Sequence, residues 1–274
     1  MNKKGTITAV GLGPGDAELL TLKGYKALQN AGVIFYPASA VTEEGVSSFS
    51  LSILDQLQLR VRVEPLHIPM KSKERELYYK EAFEKIKKEY NAGSNVVIVS
   101  EGDILFYSTF GYLWKYIQDA GLPCTLIPGI PAFIAGGSLG SQPLVEGTNP
   151  LLVISCPDSF EDISTQITSN HSLVIMKLSK LTDWGTFLEK LEKPFLYVER
   201  VGLETQFVTN NASDLAFRRV PYFSLLLYMD NSKHMKIYSI GIGPGDKSLM
   251  TPQAVSALSD SEVIVAYTPY MDYI

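Results

Sequence analysis

The sequence is poor in side chains that bind metals or cross-link. Its 274 residues hold two cysteines, Cys124 and Cys156, and three histidines. No Cys-x-x-Cys pair or Cys/His cluster is present, which argues against a zinc site. Two cysteines so far apart are expected as reduced thiols. Positive charge is scarce: 24 Lys and Arg stand against 29 Asp and Glu, a net charge of −5. A general nucleic-acid binder needs a basic face to neutralise phosphates, so that class is disfavoured, although a local basic pocket is not. Long apolar runs are missing. The run from Ile7 to Val10 is cut by a Gly/Pro loop and is too short for a signal peptide. Nothing approaches the ~18 residues of a membrane span. A cytoplasmic protein with no membrane or nucleic-acid partner is the expectation.

What is present is an alternation of β-rich and helical segments. Strands are predicted at 6–10, 33–36, 61–66, 95–100 and 124–127, and helices at 17–30, 46–57, 73–90 and 107–119. In the third helix Leu77, Phe83 and Ile86 share one face and charges occupy the other. The run Asn95-Val96-Val97-Ile98-Val99-Ser100 has the unbroken apolar character of a central parallel strand. Such an alternation predicts an open, mostly parallel sheet. Residues 136–150, rich in Gly, Ser, Pro and Asn, mark a boundary. Beyond it lie strand candidates at 151–155, 173–178, 194–198, 205–208 and 222–228, with helices at 160–167 and 181–191. The fold class expected is therefore α/β in two domains, residues 1–145 and 146–232.

Residues 233–274 form a linker and a repeat. Gly11-Leu12-Gly13-Pro14-Gly15-Asp16 returns as Gly241-Ile242-Gly243-Pro244-Gly245-Asp246, and residues 10–34 match residues 240–264 at 11 of 25 positions. A strand-loop-helix-strand unit is restarting. The tail is read as the truncated start of a second, fused enzyme, too short to build a sheet of its own.

On parallel sheets ligands sit at the carboxyl ends of the strands, which groups the loops 11–16, 101–109 and 128–137. The first is not a P-loop, because no Lys-Ser/Thr follows it. Nor does its G-x-G-x-G spacing match the dinucleotide fingerprint. Asp16 and Asp103 near the strand ends would repel a pyrophosphate and suit a ligand with a sulfonium, a ribose and an amino group. S-adenosylmethionine carries all three. A plain turn with Asp16 as a helix cap is the lesser alternative for the first loop.

These segments resemble the tetrapyrrole (corrin/porphyrin) methylase family. The resemblance rests on Val10–Asp16 with Leu19 and Thr21, on Gly-Asp-x-x-x-Tyr-Ser-Thr at 102–109, and on Pro128-Gly129-Ile130. It extends through residues 6–230, including Val174-Ile175-Met176-Lys177 and Tyr197 to Gly202. One departure is Ile104, where the family usually has proline. Within the family, Glu101 to Phe110 and Phe35-Tyr36-Pro37 are most similar to C20-methyltransferases of precorrin-2 or cobalt-factor II. The tail resembles the start of precorrin-3B C17-methyltransferases.

The resemblance implies a class III methyltransferase-like fold, with S-adenosylmethionine as methyl donor in a cleft between the domains. It also implies a small-molecule tetrapyrrole substrate, a homodimer, and a C-terminally fused second methylase in the full-length protein. Carried over by motif, the cofactor contacts are Pro14, Gly102, Asp103, Phe106, Pro131, Ala132, Met176 and Val201. Met176 is equally readable as core. Lys177 and Tyr107 are expected to meet the substrate. Lys71, Lys73, Arg75, Lys180, Arg218 and Arg219 are further cations for its carboxylates. Glu101, Tyr107 and His67 are candidates for a base, with none singled out. Other methylases of the family (acting on uroporphyrinogen, diphthine or ribosomal RNA) and a non-catalytic nucleotide-binding module remain as alternatives.

Overall fold

A computed structural model describes residues 4–38, 40–42, 45–69, 74–141, 143–167, 171–191, 194–229, 238–243, 247–261 and 263–273. Five strands build the first sheet: β1 (Thr6–Gly11), β2 (Val33–Ala38), β5 (Arg62–His67), β6 (Asn95–Ser100) and β7 (Cys124–Ile127). Their order is β5-β2-β6-β1-β7 and every pairing is parallel. A short antiparallel hairpin, β3 (Ala40–Thr42) with β4 (Gly45–Ser47), follows β2.

Helices cover both faces. Val96 and Ile98 of β6 pack with α3 (Arg75–Asn91) and α4 (Phe110–Asp119), while Val97 and Val99 share a core with α1 (Leu22–Gln29) and α2 (Phe49–Gln56). This is the period-two alternation of a strand buried on both sides. Each of those four side chains is at most 2% exposed, and burying one stabilises by about 1.5–3 kcal/mol.

Two departures from the sequence expectation have a clear local cause. The helix expected at 17–30 divides into a 3₁₀ turn, Ala17–Leu19, and α1, because the Thr21 hydroxyl accepts from the Gly24 N–H and caps a fresh helix. The helix expected at 46–57 starts only at Phe49, since Gly45–Ser47 is already paired in the hairpin. On α3 the buried face is Tyr79, Ala82, Phe83, Ile86 and Tyr90; Leu77 is exposed.

The second sheet contains β8 (Leu151–Ser155), β9 (Ser172–Met176), β10 (Leu196–Glu199), β11 (Phe207–Thr209) and β12 (Ser224–Tyr228), in the order β11-β10-β12-β9-β8. Only β8 and β9 pair in parallel; the other pairings are antiparallel. Consequently β8, β9 and β10 run in one direction and end at one edge. One face packs with α6 (Phe160–Ile167) and α7 (Trp184–Leu191). The other receives Ala132, Phe133 and Ala135 of α5 (Ala132–Leu139). Residues 136–139 of the glycine-rich boundary segment are helical. A Cβ on Gly136 would lie 3.1 Å from Leu225, so the missing side chain lets α5 sit close on β12.

Met1–Asp230 form one compact unit and Asn231–Ile274 a second. In the second, the first unit's loop geometry returns locally. Gly243 has φ +81°, as Gly13 does, and Thr251 caps α8 (Pro252–Ser259) as Thr21 caps α1. No strand forms among the described residues of this tail. The first copy shows why. There β1 and β2 each pair with β6 and not with one another, and the repeat contains no counterpart of β6. Pro244, Gly245 and Asp246 lie outside the described residues, as does the polar linker at 230–234.

Candidate functional site

The three loops predicted to converge do so through their backbones. Leu12 N–H donates to the Ser100 carbonyl at 2.9 Å, and Gly13 and Gly102 exchange two bonds, at 3.1 and 2.7 Å. The third loop closes on the other two: a Cβ on Gly129 would lie 2.1 Å from the Gly102 oxygen, and one on Gly11 would lie 2.5 Å from the Gly129 nitrogen. Gly102 itself, at φ +62°, differs. Its Cβ would find Pro131 Cα and Ala132 N at 3.9 and 4.0 Å, an ordinary contact distance. A ligand group could therefore approach the backbone there.

Two aspartates fix this junction. Asp103 Oδ1 accepts from Leu105 N–H at 2.9 Å, and its Oδ2 accepts from Gly129 N–H at 3.0 Å. Each oxygen keeps a lone pair for a further donor. Asp16 caps the 3₁₀ turn by accepting from Glu18 N–H at 2.8 Å. Ile104, where the resemblance expects proline, is 2% exposed and joins the core beside α3 and α4. The loop is thus anchored by burial instead of a ring.

The second sheet completes the site. Phe106, Ala132 and Met176 pack with Val201, Phe133 and Val198 in one apolar cluster drawn from both sheets' segments. Pro14 is buried in the first loop. That loop rests on Val201–Gly202, because a Cβ on Gly15 would meet the Val201 oxygen at 2.2 Å and one on Gly202 the Asp16 nitrogen at 2.4 Å. The eight residues assigned to the cofactor by motif thus lie on the three-loop junction and the apolar wall against it.

Beside the wall is a polar cluster. Lys177 Nζ donates to the Tyr107 carbonyl at 3.1 Å and sits 5.4 Å from the centre of the Tyr222 ring. Tyr107 Oη donates to the Val153 carbonyl at 3.2 Å. Burial lowers the Lys177 ammonium from its ordinary pKa, against the opposing influence of Cys156 and Glu101. Burial raises the Glu101 carboxyl, while its own backbone, Ser50 and Lys177 pull the other way. Tyr222 is pushed up to about 12 by burial, Cys156 and Glu101. The backbone here is strained: Tyr107, Cys156, Lys177 and Arg200 have φ of 49°, 53°, 61° and 46°. The last three directly follow β8, β9 and β10, so one sheet edge carries a row of left-handed residues. Non-glycine residues in this region cost about 1–3 kcal/mol each, and such strain concentrates at functional sites.

Other candidates fall elsewhere. His67 is exposed on β5, at the sheet edge, with β2 between it and β6. Arg218 is committed to the buried carboxylate of Glu199, at 2.6 and 2.9 Å, with Tyr197 Oη at 2.7 Å from the same group. Burial would raise Glu199, but the Arg218 and Tyr197 bonds hold it below its ordinary range. Lys180 pairs on the surface with Asp158, Arg75 donates to Tyr79, and Arg219 is exposed. Lys71 and Lys73 lie outside the described residues. Sequence reasoning missed Cys156, Tyr222, Ser50 and the Glu199–Arg218 pair; a residue ending each strand of the second sheet was the available signal for Cys156.

Two sheets docked around a three-loop glycine junction define a two-sheet α/β architecture of the class III methyltransferase kind. The structure of uroporphyrin-III C-methyl transferase from Thermus thermophilus, solved with S-adenosyl homocysteine, shares it. The TM-score is 0.58 at 21% identity, covering 82% of this chain and 97% of that one. The chain belongs to the Tetrapyrrole (Corrin/Porphyrin) Methylases, whose family model matches residues 6–216. The precorrin-2 C(20)-methyltransferase of a Sinorhizobium species is 32% identical over 243 residues, which cover 81% of this chain and 94% of that protein. The cobalamin biosynthesis protein CobIJ of Mycobacterium bovis is 29% identical over 288 residues. That match takes in 99% of this chain, which spans 56% of the mycobacterial protein's length. Among the described residues no helix is long and apolar enough to cross a membrane.

Proposed function

We propose that the chain is an S-adenosylmethionine-dependent C-methyltransferase of corrin synthesis that methylates C20 of precorrin-2 or cobalt-factor II. The observation that carries this reading is the junction of Gly11, Gly102 and Gly129 facing an apolar wall that includes Met176 and Val201. The open side of Gly102 admits the methionine part of the donor, the wall suits a flat adenine, and the acidic loop ends attract a sulfonium. The C20 position is supported by the printed activity of the Sinorhizobium relative. The length of the mycobacterial relative supports reading the tail as the start of a second methylase.

S-adenosylmethionine, when bound, supplies a methyl group on positively charged sulfur. The chain's work is to hold that methyl in line with an electron-rich ring carbon. Orientation of this kind contributes up to ~7–11 kcal/mol in well-positioned systems. Asp103 fixes the loops that define the donor's place, Phe106 and Met176 exclude water from it, and Lys177 offers charge to the substrate's carboxylates.

Titration calorimetry tests the class. Micromolar binding of S-adenosylhomocysteine is expected, and binding of NAD or ATP in its place would establish a nucleotide-binding module instead.

A further inference from the structure

Glu101 directly follows β6, in the middle of the first sheet, and precedes the glycine that opens towards Pro131 and Ala132. The half-buried side chain is surrounded from both sheets. Ser50 of α2 lies beside it, fully buried, with a hydroxyl that finds no partner of good hydrogen-bond geometry among the described residues. Lys177, just after β9, acts on it electrostatically, and Glu101 acts in turn on Tyr222, just before β12. Cys156, at the end of β8, acts on the same lysine and tyrosine, and Arg75 of α3 acts on Tyr222. Among the described residues no ion pair of the Glu199–Arg218 kind uses this carboxyl up. A carboxylate with a spare buried donor and a nearby cation, placed at the mouth of a cofactor junction, has the surroundings of a proton acceptor.

We propose that Glu101 removes the proton from the ring carbon that receives the methyl group. The proposal rests on the methyltransferase reading. After methylation that carbon still carries its hydrogen and the ring system carries a positive charge. In the step assigned to Glu101 the C–H bond breaks, its electron pair returns to the conjugated ring, and the proton passes to a carboxylate oxygen. The carboxylic acid then yields the proton to water. The spare Ser50 hydroxyl is placed to turn towards the carboxylate form, and Lys177 keeps that form accessible.

Three readouts test it on the whole chain: single-turnover methyl transfer to precorrin-2 against pH, calorimetric binding of S-adenosylhomocysteine, and thermal melting against pH. Glu101→Gln should slow transfer about 100-fold or more, while S-adenosylhomocysteine binds within about threefold of wild type. Glu101→Asp should recover part of the rate. The wild-type rate should rise with pH through an ionisation above the ordinary carboxylate range, and the Gln variant should lack that rise. Because a raised carboxyl binds its proton more tightly when folded, wild type should lose stability relative to the Gln variant as pH rises through the same range. Transfer by the Gln variant within threefold of wild type, an unchanged pH profile, or a flat difference in melting would overturn the assignment. Failure of wild type both to bind S-adenosylhomocysteine and to methylate precorrin-2 would instead sink the functional reading, and Glu101's role with it.

Discussion

Asp103 and Gly129, separated by 26 positions in sequence, are joined by a 3.0 Å bond from the glycine N–H to the carboxylate, whose other oxygen holds Leu105. One side chain thus sets the spacing of two ligand loops. Asp103→Ala should release both. Hydrogen bonds to charged groups contribute about 1.5–3 kcal/mol, so S-adenosylhomocysteine affinity should fall by roughly 10- to 100-fold. Asp103→Asn keeps one acceptor oxygen and should fall between. Calorimetry on the three proteins checks the order.

The glycine junction predicts a contrast between two Gly→Ala changes. Gly129→Ala places a Cβ 2.1 Å from the Gly102 oxygen, so the third loop must move and cofactor binding should be lost. Gly111→Ala, in α4 with nothing within 4 Å of the new carbon, should raise stability by up to ~1 kcal/mol and leave binding unchanged. Urea melts and calorimetry separate the two effects.

The Glu199–Arg218 pair predicts a stability effect apart from the site's chemistry. Arg218→Ala leaves a carboxylate that is 1% exposed with only Arg200, at 3.7 Å, and breaking a buried pair costs about 3–5 kcal/mol. The low end is expected, because Arg218 is itself one-third exposed. Since the folded state holds Glu199 below its usual range, the pair stabilises above the unfolded carboxyl's ionisation and that contribution fades as pH falls through the folded one. Arg218→Ala should therefore flatten the acid limb of the stability curve, measured by urea melts at descending pH.

The strain at Lys177 has its own signature. Lys177→Gly removes a left-handed penalty of about 1–2 kcal/mol together with the ammonium. The melting temperature should be no lower than wild type, while KM for the tetrapyrrole should rise about tenfold or more. A fall in stability with an unchanged KM would mark Lys177 as a structural residue.

Local order was legible in the sequence where the chain itself dictates it. The run Asn95–Ser100 is β6 with the boundaries its apolar residues predict, and β7 and β8 also match residue for residue. The grouping of three loops followed from parallel topology alone. What could not be read depends on contacts distant in sequence. Nothing near Arg218 shows that Glu199 will claim it, and nothing near Asp103 names Gly129 as its partner. The hairpin of Ala40–Thr42 with Gly45–Ser47 has strands too short for a periodicity. The polar cluster of Cys156, Lys177 and Tyr222 required knowing that β8, β9 and β10 end at one edge of a mixed sheet, which strand candidates do not reveal. Leu77 misled because its distance of nine positions from Ile86 sets it on the opposite side of α3, at about 3.6 residues per turn.

The most direct test of the proposed activity is to incubate the protein with precorrin-2 and S-adenosylmethionine carrying a ¹³C-methyl group, and to locate the label in the product by NMR. The account predicts a single labelled methyl on C20. Label on any other ring carbon, or no transfer by a protein that binds the donor, would contradict it.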